Sequence, residues 1–185
     1  MSTTEPNVAG YISGTWSLDP AHTEIGFVVR HLMVSKVHGH FGTYTGSITT
    51  ADTLLDSHAE VEVDLSSITT GNDQRDGHLR SSDFFDVENN PKMTFRSTGV
   101  RQGGDNYLLD GDLTIRGVTR PITLEVELGG FGPDPYGGTR AGFSATTQIN
   151  RTDFGVSWNA AIEGGGVVVS DKVTINIEAE AVLDH

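Results

Sequence analysis

Cysteine is absent from the 185 residues. That removes disulfides, thiol nucleophiles and thiolate metal sites from consideration, and leaves the redox compartment unreadable from cysteine usage. Positive charge is scarce: 12 lysines and arginines stand against 25 aspartates and glutamates, for a formal net charge of -13. Such a surface repels phosphate backbones, which argues against a nucleic-acid partner, and an anionic membrane surface is repelled too. The opening stretch MSTTEPNVAGYISGT has neither the basic start nor the apolar run of a secretory signal. No apolar run approaches the roughly 20 residues of a membrane span. The chain is therefore expected to be soluble and cytoplasmic, with no membrane span. It also lacks Gly-x-Ser-x-Gly, His-Glu-x-x-His, the phosphate-cradling Gly-x-x-x-x-Gly-Lys-Ser/Thr and the dinucleotide fingerprint. No cofactor and no catalytic residue is expected.

Glycine and alternation are what the chain has in quantity. Its 23 glycines are about 12% of residues, against roughly 7% in average usage. Period-two alternation recurs over Thr23–His31, Phe41–Ile48, Ala59–Leu65, Met93–Val100, Tyr107–Ile115, Ile122–Leu128, Ala141–Ile149 and Val173–Leu183. That makes about eight strands with one dry and one wet face and short turns between them, within one domain over residues 16–185. Residues 1–15 read as a flexible tail. The pattern suits an antiparallel sheet, either closed into a barrel or folded into a sandwich. An eight-stranded barrel is just wide enough to be filled by its own side chains or to hold one small ligand.

One segment breaks the alternation. TGNDQRDGHLRSSDFFDVENNP, residues 70–91, is charged and helix-like, and it carries Phe84 and Phe85. Thr70 with Asp73 fits a capping box, and Asn72 is an alternative N-cap. Gln74–Arg80 makes about two turns. Gly77 inside them costs about 1 kcal/mol, so packing must hold the helix. The segment reads as an amphipathic plug that turns Leu79, Phe84 and Phe85 into one end of the barrel.

With these residues in hand, the chain resembles the YceI family of bacterial, lipocalin-like, polyisoprenoid-binding proteins. The resemblance runs in order from WSLDPAHTEIGFVVRHLMVSKVHGHFGTYTGSI through GDLTIRGVTRPITLEV and RTDFGVSW to VTINIEAEAVL. It implies an all-β, eight-stranded antiparallel lipocalin-like barrel with a short helical segment at one end. It further implies a cavity that takes an isoprenoid lipid, a polyprenyl phosphate or a quinone-like molecule. It carries over no catalytic residue. His38 and His40 fall outside the shared pattern; two imidazoles alone make a poor zinc site, and no metal is expected.

Candidate ligand-binding residues come from the dry faces and the plug. They are Ile25, Phe27, Val29 and His31 from the first alternating run, then Tyr44, Val61, Val63 and Phe95. Leu113, Ile115, Leu124, Val126 and Phe143 complete the strands, with Phe84 and Phe85 from the plug. Inner Gly46, Gly111, Ala145 and Ala179 are expected to leave space. Candidate head-group contacts are His22, Arg75, His78 and Arg116. Each has a competing structural role: a turn hydrogen bond for His22, ion pairing for Arg75 and His78, a strand-end turn for Arg116. His31 is either a ligand contact or a histidine bonded to a backbone carbonyl. A small-molecule enzyme with His31 as acid or base, and an interaction module whose barrel is filled, are the alternatives to a carrier. A homodimer fits any of them.

Overall fold

The computed structural model describes residues 8–32, 34–159 and 169–184. Among these, eleven strands occupy eight positions of one closed antiparallel barrel. They are β1 (Gly14–Leu18), β2 (Glu24–His31), β3 (Ser35–Phe41), β4 (Tyr44–Thr50), β5 (His58–Asp64), β6 (Ile68–Thr69), β7 (Lys92–Gly103), β8 (Asn106–Ile115), β9 (Val118–Pro133), β10 (Thr139–Asn150) and β11 (Val169–Leu183). The order is a meander. β11 runs along β10, and its other edge is shared by β2 below and β1 above, which closes the ring. Closure leaves the barrel wall without the long unpaired edges of an open sheet.

Three barrel positions are each made of two strands with a bend between them, and each bend has a local cause. Between β1 and β2, Pro20 has no N–H to give a ladder, and the Asp19 carboxylate accepts the Ala21 N–H at 3.0 Å. Between β3 and β4 lies Gly42-Thr43. Between β5 and β6, the Asp64 side chain accepts the Ser66 N–H at 3.0 Å and turns the chain at Leu65–Ser67. The bends sit side by side and are tied together. The Tyr44 hydroxyl donates to the Thr23 carbonyl at 2.6 Å, and the Asp64 N–H donates to the Thr43 carbonyl at 2.9 Å.

A helix, α1 (Asp73–Arg80), is the one α-helix among the described residues. Asn72 is its N-cap, accepting the Arg75 N–H at 3.0 Å. Thr70 instead bonds the buried Asp76 through its N–H at 2.9 Å and its hydroxyl, tying the helix back to β6. Phe84 and Phe85 come from the turn after the helix, where Asp86 adopts a left-handed φ of 50°.

Residues 1–15 are the stretch expected to be an N-terminal tail. Residues 1–7 lie outside the described residues, but Tyr11 already donates to the Ala51 carbonyl and stands edge-on to Phe131 at 5.3 Å.

The barrel is solid at its two ends and loosely filled between them. The largest fully buried side chains are Trp16, Leu65, Ile68 and Phe154. Trp16 seals the end near β1 and β4, its indole N–H donating to Thr50 at 2.9 Å. Leu65, Ile68 and Phe154 seal the other end. Midway, the inward-pointing Val61, Ile122, Val126, Ile175 and Ile177 are only half-buried. An inward residue of a closed barrel keeps accessible surface only when nothing packs against its tip.

Candidate functional site

Two apolar cavities lie end to end inside the barrel. The larger has a cavity volume of about 170 Å³ and lies toward the Trp16 end, bordered by Leu18, Ile48 and Leu54. The smaller has a cavity volume of about 100 Å³ and lies beneath the plug. Ile25, Met93 and Ile175 border both, so the two form a tunnel narrowed at those three side chains. Along β11 the lining includes Val169 and then runs in regular alternation from Val173 to Ala179, roughly 20 Å of strand.

Most of the apolar candidates read from the sequence line this tunnel. Val61, Val63, Phe95, Leu113, Leu124, Val126 and Phe143 border the larger cavity, with Ala145 and Ala179 among them. Phe27, Val29, Ile115, Phe84 and Phe85 border the smaller, and Ile25 borders both. Two candidates do not. Tyr44 is spent on the bend, through its bond to Thr23. His31 sits at the end of β2, past the last lining residue of that strand, and borders neither cavity.

The inner glycines also behave differently from the expectation. A Cβ on Gly111 would lie 2.4 Å from the Phe95 ring, and one on Gly46 would lie 2.6 Å from Leu18. These glycines do not leave void; they let neighbouring side chains lie flat across the strand.

The polar candidates all point elsewhere. His22 lies outside the barrel, its Nδ1 2.8 Å from Asp19 Oδ2 and 3.2 Å from Glu180 Oε2. Arg75 donates to the Thr70 hydroxyl at 2.7 Å and carbonyl at 2.9 Å. His78 pairs with Asp83 at 2.8 Å and stands edge-on to Trp158 and Phe84, at 4.6 and 5.0 Å. Arg116 takes a left-handed φ of 52° and donates to the Phe84 carbonyl at 2.6 Å, fixing the plug to the β8–β9 turn. None of the four lines either cavity.

The cationic side chain that does reach the tunnel was missed. Arg151 is 5% exposed and borders the smaller cavity. It donates to the carbonyls of Ser170, Val156, Trp158 and Val169 at 2.9, 2.8, 2.9 and 3.3 Å, and stands 3.5 Å from Asp171. Burial pushes its pKa down. Its donors are occupied, so it is a structural clamp. Also missed were Tyr107, Leu109 and Val100, which line the larger cavity. The register shift between Ser97 and Gly99 moves Val100 to the inner face, which strict alternation from Met93 does not anticipate.

Outside the barrel, Asp19, His22 and Glu180 bring three possible metal ligands within 4.8 Å of one another. Arg140 already occupies that cluster, donating to Asp19 at 2.6 Å, Asp134 at 3.0 Å and Glu180 at 3.1 Å. Those donors, then His22, hold the Asp19 carboxyl down at about 2. A divalent cation there would have to displace the guanidinium. The cluster closes the β1–β2 bend onto β10 and β11, and among the described residues no serine bonds His22 to make a triad.

Residues 16–181 match the YceI-like domain family. The chain is 38% identical over 151 residues to a UPF0312 protein of Photorhabdus laumondii, covering 80% of this chain and 79% of that one. It is 37% identical over 172 residues to a UPF0312 protein of Staphylococcus epidermidis, covering 92% and 98%. Among solved structures, a Campylobacter jejuni YceI protein superposes with a TM-score of 0.73 at 33% identity, covering 91% of this chain and 97% of that one. A polyisoprenoid binding domain from Saccharophagus degradans superposes with a TM-score of 0.66 at 20% identity, covering 91% and 98%. The match spans every barrel position from Trp16 on β1 to Ala181 on β11, so the chain belongs to the YceI-like domain family.

Proposed function

We propose that this protein binds and carries a long, uncharged apolar molecule of the isoprenoid kind in its barrel, without catalysing a reaction on it. The observation that carries the reading is the tunnel itself: two abutting apolar cavities, with Val61, Ile122, Val126, Ile175 and Ile177 left half-buried in the wall. Each methylene moved from water into such a lining contributes about 0.8 kcal/mol, so a long chain gains micromolar affinity or better from burial alone. The ligand class is supported by family membership and by the fold shared with the polyisoprenoid binding domain of Saccharophagus degradans.

The lining favours a ligand without a phosphate. All twelve lysines and arginines fall among the described residues, and the one that borders the tunnel, Arg151, has its donors on backbone carbonyls and beside Asp171. A quinone-like or hydroxyl-ended isoprenoid needs no cation. Neither alternative reading gains support, since His31 borders neither cavity and the barrel interior holds open space. Native mass spectrometry of protein isolated from its host tests the proposal. A bound lipid mass released on denaturation is the expected result. Protein that is always empty, and that takes up neither an isoprenoid quinone nor a polyprenol, would sink it.

A further inference from the structure

The charge of this protein is unevenly spread. No aspartate or glutamate occurs between Glu24 and Asp52, the longest acid-free run in a chain with 25 acids. That run folds as the β2–β3 hairpin and β4. Nine of the twelve lysines and arginines make a hydrogen bond or an ion pair within the protein. Arg30, Lys36 and Lys172 make none through their side chains among the described residues.

These three belong to one place. Arg30 and Lys36 are directly opposed across β2 and β3. Val169 pairs with His31 and Val173 with Val29, so the register shift between them leaves Ser170, Asp171 and Lys172 opposite Arg30 on the adjoining strand. All three are exposed and form a row across β11, β2 and β3 on the outer face. Like charges placed opposite each other on a sheet are mutually destabilising. The acid nearest in sequence, Asp171, faces Arg151.

Just beyond the row is the hairpin tip, closed by a Val34 N–H bond to the His31 carbonyl at 3.1 Å. Leu32 takes a left-handed φ of 54° and is 40% exposed; Val34 is 84% exposed. The tip also stands apart from the plug segment, whose residues 70–91 carry Asp73, Asp76, Asp83, Asp86 and Glu88 against Arg75 and Arg80. The last rung joining β3 to β6 is His40 with Thr69. From there β3 runs five residues on to Ser35, roughly 17 Å of strand, which exceeds the Debye length of about 10 Å at 0.1 M salt. The row thus gathers three cations on a face whose nearest acid in sequence, Asp171, is paired with Arg151, so the repulsion expected from the net charge of the whole molecule is weakest here.

We infer that the β2–β3 hairpin is a docking surface for an anionic lipid bilayer, with Leu32 and Val34 entering the interface and Arg30, Lys36 and Lys172 meeting the head groups. The same hairpin supplies Phe27 and Val29 to the wall of the smaller cavity, so docking sets that end of the tunnel against the source of an apolar cargo. The choice of a lipid surface over an acidic peptide rests on the carrier reading.

Flotation with phosphatidylcholine vesicles, with and without phosphatidylglycerol, tests the inference. Binding is expected to the anionic vesicles and to weaken as salt rises. Each cation at an anionic surface is worth roughly fivefold in affinity, so Arg30→Gln with Lys36→Gln is expected to weaken binding roughly 25-fold. Lys92→Gln with Arg96→Gln, an equal charge change on β7, is expected to leave it unaltered. Val34→Ser is expected to weaken it at every salt concentration. Equal binding to neutral vesicles, equal loss in the β7 variant, or no vesicle binding overturns the inference. So does retention on polyglutamate without vesicle binding, which assigns the face to an acidic peptide. Uptake of a quinone from solution, read by native mass spectrometry, separates the two proposals. Docking without uptake refutes the carrier and leaves the docking surface standing, whereas uptake without docking does the reverse.

Discussion

Replacing Ala145 with phenylalanine asks directly whether the barrel is open. Ala145 points inward from the middle of β10, facing Val126 on β9 and Ile177 on β11, and all three line the larger cavity. In a core packed to ordinary density the added ring forces neighbours off their rotamers and costs about 1–3 kcal/mol. For a chain of this size that lowers the melting temperature by roughly 2–12 °C. In an open tunnel the ring has somewhere to go, and burying it contributes up to about 1.5–3 kcal/mol, less the rotamer freedom it loses. The ligand-free variant is therefore expected to match or exceed the parent in urea denaturation. Its affinity for an isoprenoid quinone moves the opposite way. A ring filling the space of about four methylenes removes roughly 3 kcal/mol of burial, near 200-fold in affinity. Titration followed by native mass spectrometry measures it. A ligand-free variant destabilised by about 1 kcal/mol or more would mean the interior is filled at Ala145. Unchanged affinity in a stable variant would mean the ligand lies elsewhere.

Three further outcomes rest on particular contacts. Gly111→Ala places a methyl 2.4 Å from the Phe95 ring and 2.7 Å from the Arg96 carbonyl, and is expected to cost about 1–3 kcal/mol in urea denaturation. Arg151→Met strips the donor from the carbonyls of Ser170, Val156, Trp158 and Val169; a loss of at least about 3 kcal/mol is expected, and a neutral result would show that water replaces the guanidinium. Because the Asp19 carboxyl titrates near 2 when folded and near 3.8 when unfolded, it stabilises the fold above 3.8, and that contribution fades as pH falls to about 2. Asp19→Asn is therefore expected to flatten the pH dependence of stability across that window, with little change in slope above it.

The strands and the plug were legible because they rest on local rules. A half-buried strand must alternate, so β5, β8 and β11 announce themselves, and Ala59, Val61 and Val63 against Glu60 and Glu62 show which face is dry. A capped, charged run ending in Phe-Phe announces α1 and the turn after it. The short β1, β3 and β6 were harder to read. They are cut from their neighbours by Pro20, Gly42 and the Asp64 turn, and pairing across the bends assigns them to the wall. The apolar half of the candidate site came from alternation. The polar half did not, because His22, Arg75, His78 and Arg116 satisfy their hydrogen bonds with groups that only the fold brings near.

By itself, then, the sequence determined an antiparallel architecture of about eight strands, its dry faces and the segment that forms the plug, while closure into a barrel rather than a sandwich was decided by the pairing of β11 with both β1 and β2. The first three depend on which residues prefer water and at what spacing. Whether the barrel is hollow was beyond it, since void depends on how large side chains from distant strands divide a shared volume. Trp16, Leu65, Ile68 and Phe154 gather at the two ends and leave the middle to Val61, Val126 and Ile177. Likewise, twelve cations can be counted in the chain, but only the register of β11, β2 and β3 leaves three of them together, with no side-chain partner among the described residues.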